Sequence, residues 1–325
     1  MEGPVEYLEY LDGWRGLAIA LVLEDHFVGL MVSSFDAGRL GVDIFFCLSG
    51  FLMAGILFLQ QQPLTKFYKR RISRILPAFL LFVFFVFAYA WLAGIDFTIV
   101  EFISTVFFLR TYLPVEVGIW ASAVPIGHLW SLNIEEHSYL FMSAFILLGF
   151  FRKREAEGLL ISGVGCLAVS VIYAKLGPRA PHSGGIGSEI AASHILIAAG
   201  YRLLREKRGI KVPPWAPVLA LAAALPFYVK SFAWWGHSLV TPLLLAFAVN
   251  HISQTYERLK EWLSHPALRQ LGLWSFSIYL WQQPFQHDNI TFTGSVVGLS
   301  CTMAAALISF YIIEQPARGW LNRYW

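Results

Sequence analysis

The chain has 325 residues, of which 57% are hydrophobic and only 14% charged, against about 25% charged in an ordinary soluble domain. The net charge is +3, and the basic residues gather in loops of one side with no aromatic-and-basic surface, which argues against a nucleic-acid partner. Apolar runs near the roughly 20 residues that cross a bilayer recur along the whole length, so lipid is the solvent and no sizeable soluble domain is left over.

In chain order, Met1 to Tyr10 is acidic and lacks the pattern of a cleavable signal, so the first apolar segment is read as a retained anchor. Ten spans follow, at 14–34, 41–60, 75–94, 130–151, 158–175, 187–205, 214–230, 237–252, 271–287 and 294–314. The segment Phe97–Leu113 is apolar but carries Glu101 and Arg110, and is read as re-entrant or interfacial on the outer side. A cytoplasmic N-terminus puts 19 of the 24 Lys and Arg residues on the cytoplasmic side, and the positive-inside rule selects that orientation. The expected fold is an all-α membrane protein, a bundle of about ten transmembrane helices with both termini cytoplasmic. No internal repeat is visible, which weakens an inverted-repeat transporter reading. Cys47, Cys166 and Cys301 are isolated within apolar segments, with neither metal-ligand spacing nor a disulfide framework, and read as packing residues.

Ionisable side chains in membrane helices cost several kcal/mol unless they face a polar interior. In LDGWRGLAIALVLEDHF, Arg15 and His26 are eleven residues apart, which at 100° per residue is three turns plus roughly 20°, so they share a face about 16 Å apart along the axis. That suits a ligand with an anionic end at the cytoplasmic mouth and a reactive end inside the bundle. Glu24 or Asp25 is positioned to orient the imidazole. In the second span, Asp43, Cys47 and Gly50 form one stripe. Asp43 either pairs with Arg39 or faces an acceptor site, while Ser49, Gly50 and Gly55 allow close helix approach. TKFYKRRISRILPAF carries five basic residues in nine positions. Besides anchoring the chain, Arg70, Arg71 and Arg74 match a phosphate-rich ligand such as coenzyme A. The fourth span opens with GHLWSLNIEEHSYLF, crowding His128, Trp130, Glu135, Glu136, His137 and Tyr139 into its outer third. An aromatic belt explains Trp130 but not tandem carboxylates, at least one of which should face a wet cavity. SFSIYLWQQPF and ISFYIIEQPARGW read as anchors, with Glu314 paired to Arg318 or to the basic loop.

Six of these motifs, LDGWRGLAIALVLEDH, GVDIFFCLSGFL, FYKRRISRILPAF, WSLNIEEHSYLF, SFSIYLW and IIEQPAR, stand in the order seen in the membrane acyltransferase family often called acyltransferase-3. The chain resembles that family from Leu11 to Arg318. The resemblance implies a ten-helix membrane domain, residues 1–325, with acyl-CoA as cytoplasmic donor, acetyl-CoA in the first instance, and a hydroxyl of a surface or lipid-linked glycan as acceptor. It implies the bacterial inner membrane as location and no metal. The family's Arg-x10-His motif falls on Arg15 and His26, its arginine-bearing loop on Arg70, Arg71 and Arg74, and its WSLxxEE element on Trp130 to Glu136. This chain has Gln282 where the family usually has a histidine, so the resemblance gives that position no role here. Glu24 and Asp25 are unusual before the motif histidine. The hydrolase-like domain fused to some members is not expected, because the chain ends at Trp325.

Together these readings predict that Arg15, Arg70, Arg71 and Arg74 hold the phosphates of acyl-CoA. His26 acts either as general base or as a transient acyl carrier, Glu135 or Glu136 serves the acceptor, and Asp43, His128 and Trp130 lie on the acceptor side. The rival reading is a proton-coupled transporter or flippase of a carbohydrate-type substrate, with His26, Asp43 and Glu135 as a proton relay. A scaffold subunit gives no reason for so many intramembrane charges.

Overall fold

The helices of this chain are defined as much by where they break as by where they run. The computed structural model describes residues 9–29, 34–149, 153–176, 187–231, 235–286 and 292–324. α1 (Glu9–Leu23) passes directly into a π turn at Glu24–Val28. α2 (Ala37–Ala54) is capped by the Asp36 carboxylate, which accepts from the Arg39 N–H at 3.0 Å, and it too ends in a π turn, at Gly55–Leu59. α3 (Leu64–Leu92) has 29 residues and starts well before the apolar run assigned from sequence, so the basic cluster lies on helix and not in a loop. At 1.5 Å per residue it is about 44 Å long, which exceeds the roughly 30 Å hydrocarbon core and leaves its charged first turns outside.

α4 (Ile99–Val106) has eight residues, opened by a capping box between Thr98 and Glu101. It rises only about 12 Å and cannot cross, in keeping with a re-entrant or interfacial segment. The two charges that make this stretch unusual are paired: Arg110, 1% exposed, lies 3.0 Å from Glu101 and donates to the Val117 carbonyl at 2.8 Å. Ser122 adds a hydrogen bond to the same carboxylate at 2.9 Å. The segment is thus fastened as a fixed layer at one end of the bundle.

The chain continues through α5 (Trp130–Leu148), entered by a 3-10 turn at Gly127–Leu129, then α6 (Glu155–Leu176), α7 (Ser188–Ala191), α8 (Ser193–Arg208) and α9 (Ala216–Ala224). α10 (Thr241–His251), α11 (Glu257–Leu263), α12 (Pro266–Trp281), α13 (Phe292–Ile308) and α14 (Gln315–Tyr324) complete it. Further π turns precede α10 at Gly236–Val240 and follow α13 at Ser309–Glu314. Apart from a single bridge between Phe35 and Val229, the described residues contain no β pairing.

Ala37–Leu59, Leu64–Leu92, Glu155–Leu176 and Ser295–Tyr324 are long and apolar enough to cross a membrane. They match four of the ten expected spans. Of the other six, α5 runs unbroken for 19 residues but carries Glu135 and Glu136, and the rest are built from shorter helices, several of them flanked by π or 3-10 turns. Large apolar side chains stay exposed along α3, α6 and α13, among them Phe84, Tyr89, Ile161 and Val297. An apolar surface so extensive is that of a protein solvated by lipid.

α1 sits at the centre, packed on α2, α11 and α12. Its seam with α12 is nearly backbone to backbone. A Cβ on Gly16 would lie 1.9 Å from the Leu268 carbonyl oxygen, and one on Gly272 would lie 1.9 Å from that of Asp12. Gly50 plays the same part between α2 and α8, where a Cβ would meet the Ile195 carbonyl oxygen at 2.1 Å, whereas Gly55 has open space around it. Gly272→Ala should therefore lower stability by about 1–3 kcal/mol through enforced separation of the helices. Thermal unfolding in detergent checks this, with Gly55→Ala expected to unfold within a degree or two of the unaltered protein.

Candidate functional site

Two cavities adjoin along α1, sharing Val42 and Tyr279 in their linings. Arg15 lines the first, of about 130 Å³, and His26 lines the second, of about 310 Å³. The π turn at Glu24–Val28 carries His26 to its place. Such turns widen the helix locally and recur at functional sites.

The first cavity has a cationic end and an apolar body. Arg15 is tethered to Asp12, one turn earlier, at 3.0 Å. Arg71 and Arg74 enter from α3, one turn apart, while Arg70, just before Arg71, is exposed and off the lining. The two inward arginines have different surroundings. Arg71 grips Glu136 through Nε at 3.0 Å and a terminal nitrogen at 2.8 Å, lies 3.5 Å from Glu135, and stacks 3.6 Å over the Tyr139 ring. Ser49 donates to Glu135 at 2.7 Å. Arg74 has no hydrogen bond or ion pair with a described residue, although Arg15, Arg318 and Glu314 lie within electrostatic reach. Glu314 is held by Ser277, whose hydroxyl donates to it at 2.8 Å. An anion entering this cavity meets Arg74 and the remaining donors of Arg15, with Arg71 already committed to its carboxylates.

In the second cavity His26 Nδ1 lies 2.9 Å from Gln282 Oε1. An amide oxygen only accepts, so Nδ1 carries the hydrogen and Nε2 presents its lone pair. His128 lines the same cavity, its backbone N–H donating to Gln283 Oε1 at 2.9 Å and its Nδ1 facing the same oxygen. Trp130 contributes its ring, with the Arg39 guanidinium 4.9 Å from its centre. Trp120 reaches in from the segment fastened by Arg110.

The residues singled out from sequence thus separate into groups. Arg15, Arg71, Arg74 and Glu135 line one cavity, with Glu136 tied behind Arg71; His26, His128 and Trp130 line the other. Glu135 and Glu136 stand with the arginines, one to two turns of α5 away from Trp130, which lines the other cavity. Arg70 faces outward. The imidazole has a hydrogen-bond partner the sequence did not suggest, Gln282, while Asp25 lines the same cavity within electrostatic reach of it. Asp43 lines neither cavity: fully buried, it receives Arg39 at 3.2 Å, Tyr228 at 2.9 Å and His237 at 3.0 Å, with His194 at 3.5 Å. It reaches the second cavity only through Arg39.

Sequence reasoning missed the contribution of α12. Ser275 and Tyr279 line the first cavity, and Tyr279, Gln282 and Gln283 the second. The i, i+4, i+7 spacing of Ser275, Tyr279 and Gln282 in SFSIYLWQQ was the available signal. Among the described residues no three His, Cys, Asp or Glu side chains are placed to hold a metal ion.

A helical membrane bundle with an arginine-lined and a histidine-bearing cavity is the setting of a membrane group-transfer enzyme. The Acyltransferase domain family matches residues 8–314, and the chain belongs to it. It is 28% identical over 96% of its length to "Putative peptidoglycan O-acetyltransferase YrhL" of Bacillus subtilis strain 168, covering 55% of that protein. It is 26% identical over 98% of its length to peptidoglycan O-acetyltransferase OatA of Listeria monocytogenes, covering 57%. The chain therefore spans a little over half the length of these relatives. No solved structure matches it significantly.

Arg71→Ala strands two carboxylates among apolar neighbours, and stability should fall by about 3 kcal/mol. Denaturation in detergent measures the loss, and Glu136→Gln should recover part of it in the double variant.

Proposed function

We propose that this protein transfers an acyl group, acetyl in the first instance, from acyl-CoA to a hydroxyl of an exported glycan. The adjoining cavities carry the reading, one offering the Arg74 guanidinium and the remaining donors of Arg15, and the other a histidine held by Gln282. In this reading the phosphates of acyl-CoA sit at the mouth of the first cavity on Arg74 and Arg15, and the thioester end enters its apolar body. The nucleotide stays outside, at the cationic mouth.

The acceptor hydroxyl lies in the second cavity against His26 Nε2, with the sugar ring on Trp120 and Trp130. His26 either takes the hydroxyl proton as the oxygen attacks the thioester carbonyl and the thiolate leaves, or accepts the acyl group itself and hands it on. Gln282 serves by holding the imidazole in one tautomer and orientation, as the third member of a catalytic triad does. The relatives' names point to peptidoglycan as the acceptor.

Residues 1–325 act here as one membrane unit with about ten crossings, both termini cytoplasmic, in a bacterial inner membrane. The basic side chains of α3 then face cytoplasmic CoA, and the layer fastened by Arg110 faces the glycan. The transporter reading needs His26, Asp43 and Glu135 in one relay, yet they lie in three separate settings: two different cavities and a buried cluster.

Three substitutions test the assignment in purified protein supplied with acetyl-CoA and a glycan acceptor. His26→Ala should reduce transfer by about 10²–10⁴-fold with little change in acetyl-CoA affinity; a folded His26→Ala protein with full activity would refute the proposal. Arg74→Ala should raise the Kd for acetyl-CoA by about tenfold, the value of one charge-assisted contact. Gln282→Met should lower kcat while leaving the KM for acetyl-CoA near its original value, and a change confined to KM would remove Gln282 from its orienting role.

A further inference from the structure

The two cavities share two lining residues, Val42 of α2 and Tyr279 of α12. The Tyr279 hydroxyl donates to the His128 carbonyl at 2.6 Å and accepts from Ser131 at 2.7 Å, so both ends of the turn entering α5 pin it. Its ring lies 5.3 Å from that of His128, edge toward face. The side chain is therefore fixed at its tip while its ring stands between the arginine-lined and the histidine-lined space. Val42, 7% exposed, faces it from α2.

A membrane enzyme whose substrates come from opposite sides has a problem that a soluble one lacks. Its donor and acceptor cavities must meet closely enough for an acyl group to pass, yet not so openly that ions and water cross with it. We propose that Tyr279 and Val42 form this partition, acting together as the seal between the two compartments and as the filter that sets the length of the acyl group admitted. This rests on the acyl-transfer reading for the filter, whereas the seal is a property of the bundle itself. A ring pinned at its tip leaves a gap of fixed width, and a short acyl group is the part of the donor that fits it.

The test uses the full chain in sealed liposomes with a pH-sensitive dye inside, supplied with acetyl-CoA or butyryl-CoA and a glycan acceptor. Tyr279→Ala should raise the use of butyryl-CoA relative to acetyl-CoA by about tenfold or more, the scale on which pockets discriminate methylene groups, and should speed the collapse of an imposed pH gradient. Val42→Ala should move both readouts the same way to a smaller extent, and it carries the test if Tyr279→Ala does not fold. Tyr279→Phe keeps the ring but loses both hydrogen bonds that pin it, so it should move both readouts in the same direction as Tyr279→Ala but less far. Wild-type acyl preference or a wild-type gradient in both alanine variants overturns the proposal. If the unaltered protein transfers nothing from acetyl-CoA, the function proposed above fails instead, and the gradient still decides the seal.

Discussion

The near-contact of backbones between α1 and α12 is the constraint on which the rest of the molecule depends. Because Gly16 and Gly272 carry no side chain, the two helices approach until one helix's carbonyl lies where a Cβ would otherwise sit. α1 brings Arg15 and His26; α12 brings Ser275, Tyr279 and Gln282. Both cavities lie along this seam. In lipid there is no hydrophobic drive to press helices together, so close approach through small residues is the available source of packing energy.

Around that seam the charges obey one rule with few exceptions. Glu101 is matched by Arg110, Glu136 by Arg71, and Asp43 by Arg39 and its ring of hydroxyl and imidazole donors. Each pairing offsets a desolvation cost that a lone charge could not meet. Arg74 stands outside this arrangement. Glu314 lies within electrostatic reach of it without forming an ion pair, and Arg15 and Arg318 add like charge; in the acyl-transfer proposal this is the cation left for the anionic donor.

Much of the fold was legible because lipid restricts the chain to helices, and apolar runs locate them. The ends were less so. Helix propensity runs on through the charged turns of α3, so hydropathy placed its start at residue 75 while the backbone begins at Leu64. The π turns leave no mark in hydropathy, and they divide the spans. At the site, ionisable residues announced themselves by their cost in lipid, which exposed Arg15, His26, Arg71 and the tandem carboxylates. Gln282 and Tyr279 are cheaper to bury, so Tyr279 drew no notice and Gln282 only as a departure from the family pattern, although each lines a cavity of the site. Which cavity Glu135 reaches was not legible either, since that depends on how α5 meets Arg71 of α3.

The first turns of α3 divide their charge between two directions. Lys66, Lys69 and Arg70 point outward and are exposed, while Arg71 and Arg74, on the same turns, point in. The outward set forms a positive field at the rim of the cavity proposed to take the anionic donor. Such a field raises the local concentration of a polyanion and speeds encounter, and it weakens as added ions shorten its range. Capture at the rim is therefore governed by ionic strength. Events beyond the apolar body of the cavity, out of reach of mobile ions, are not.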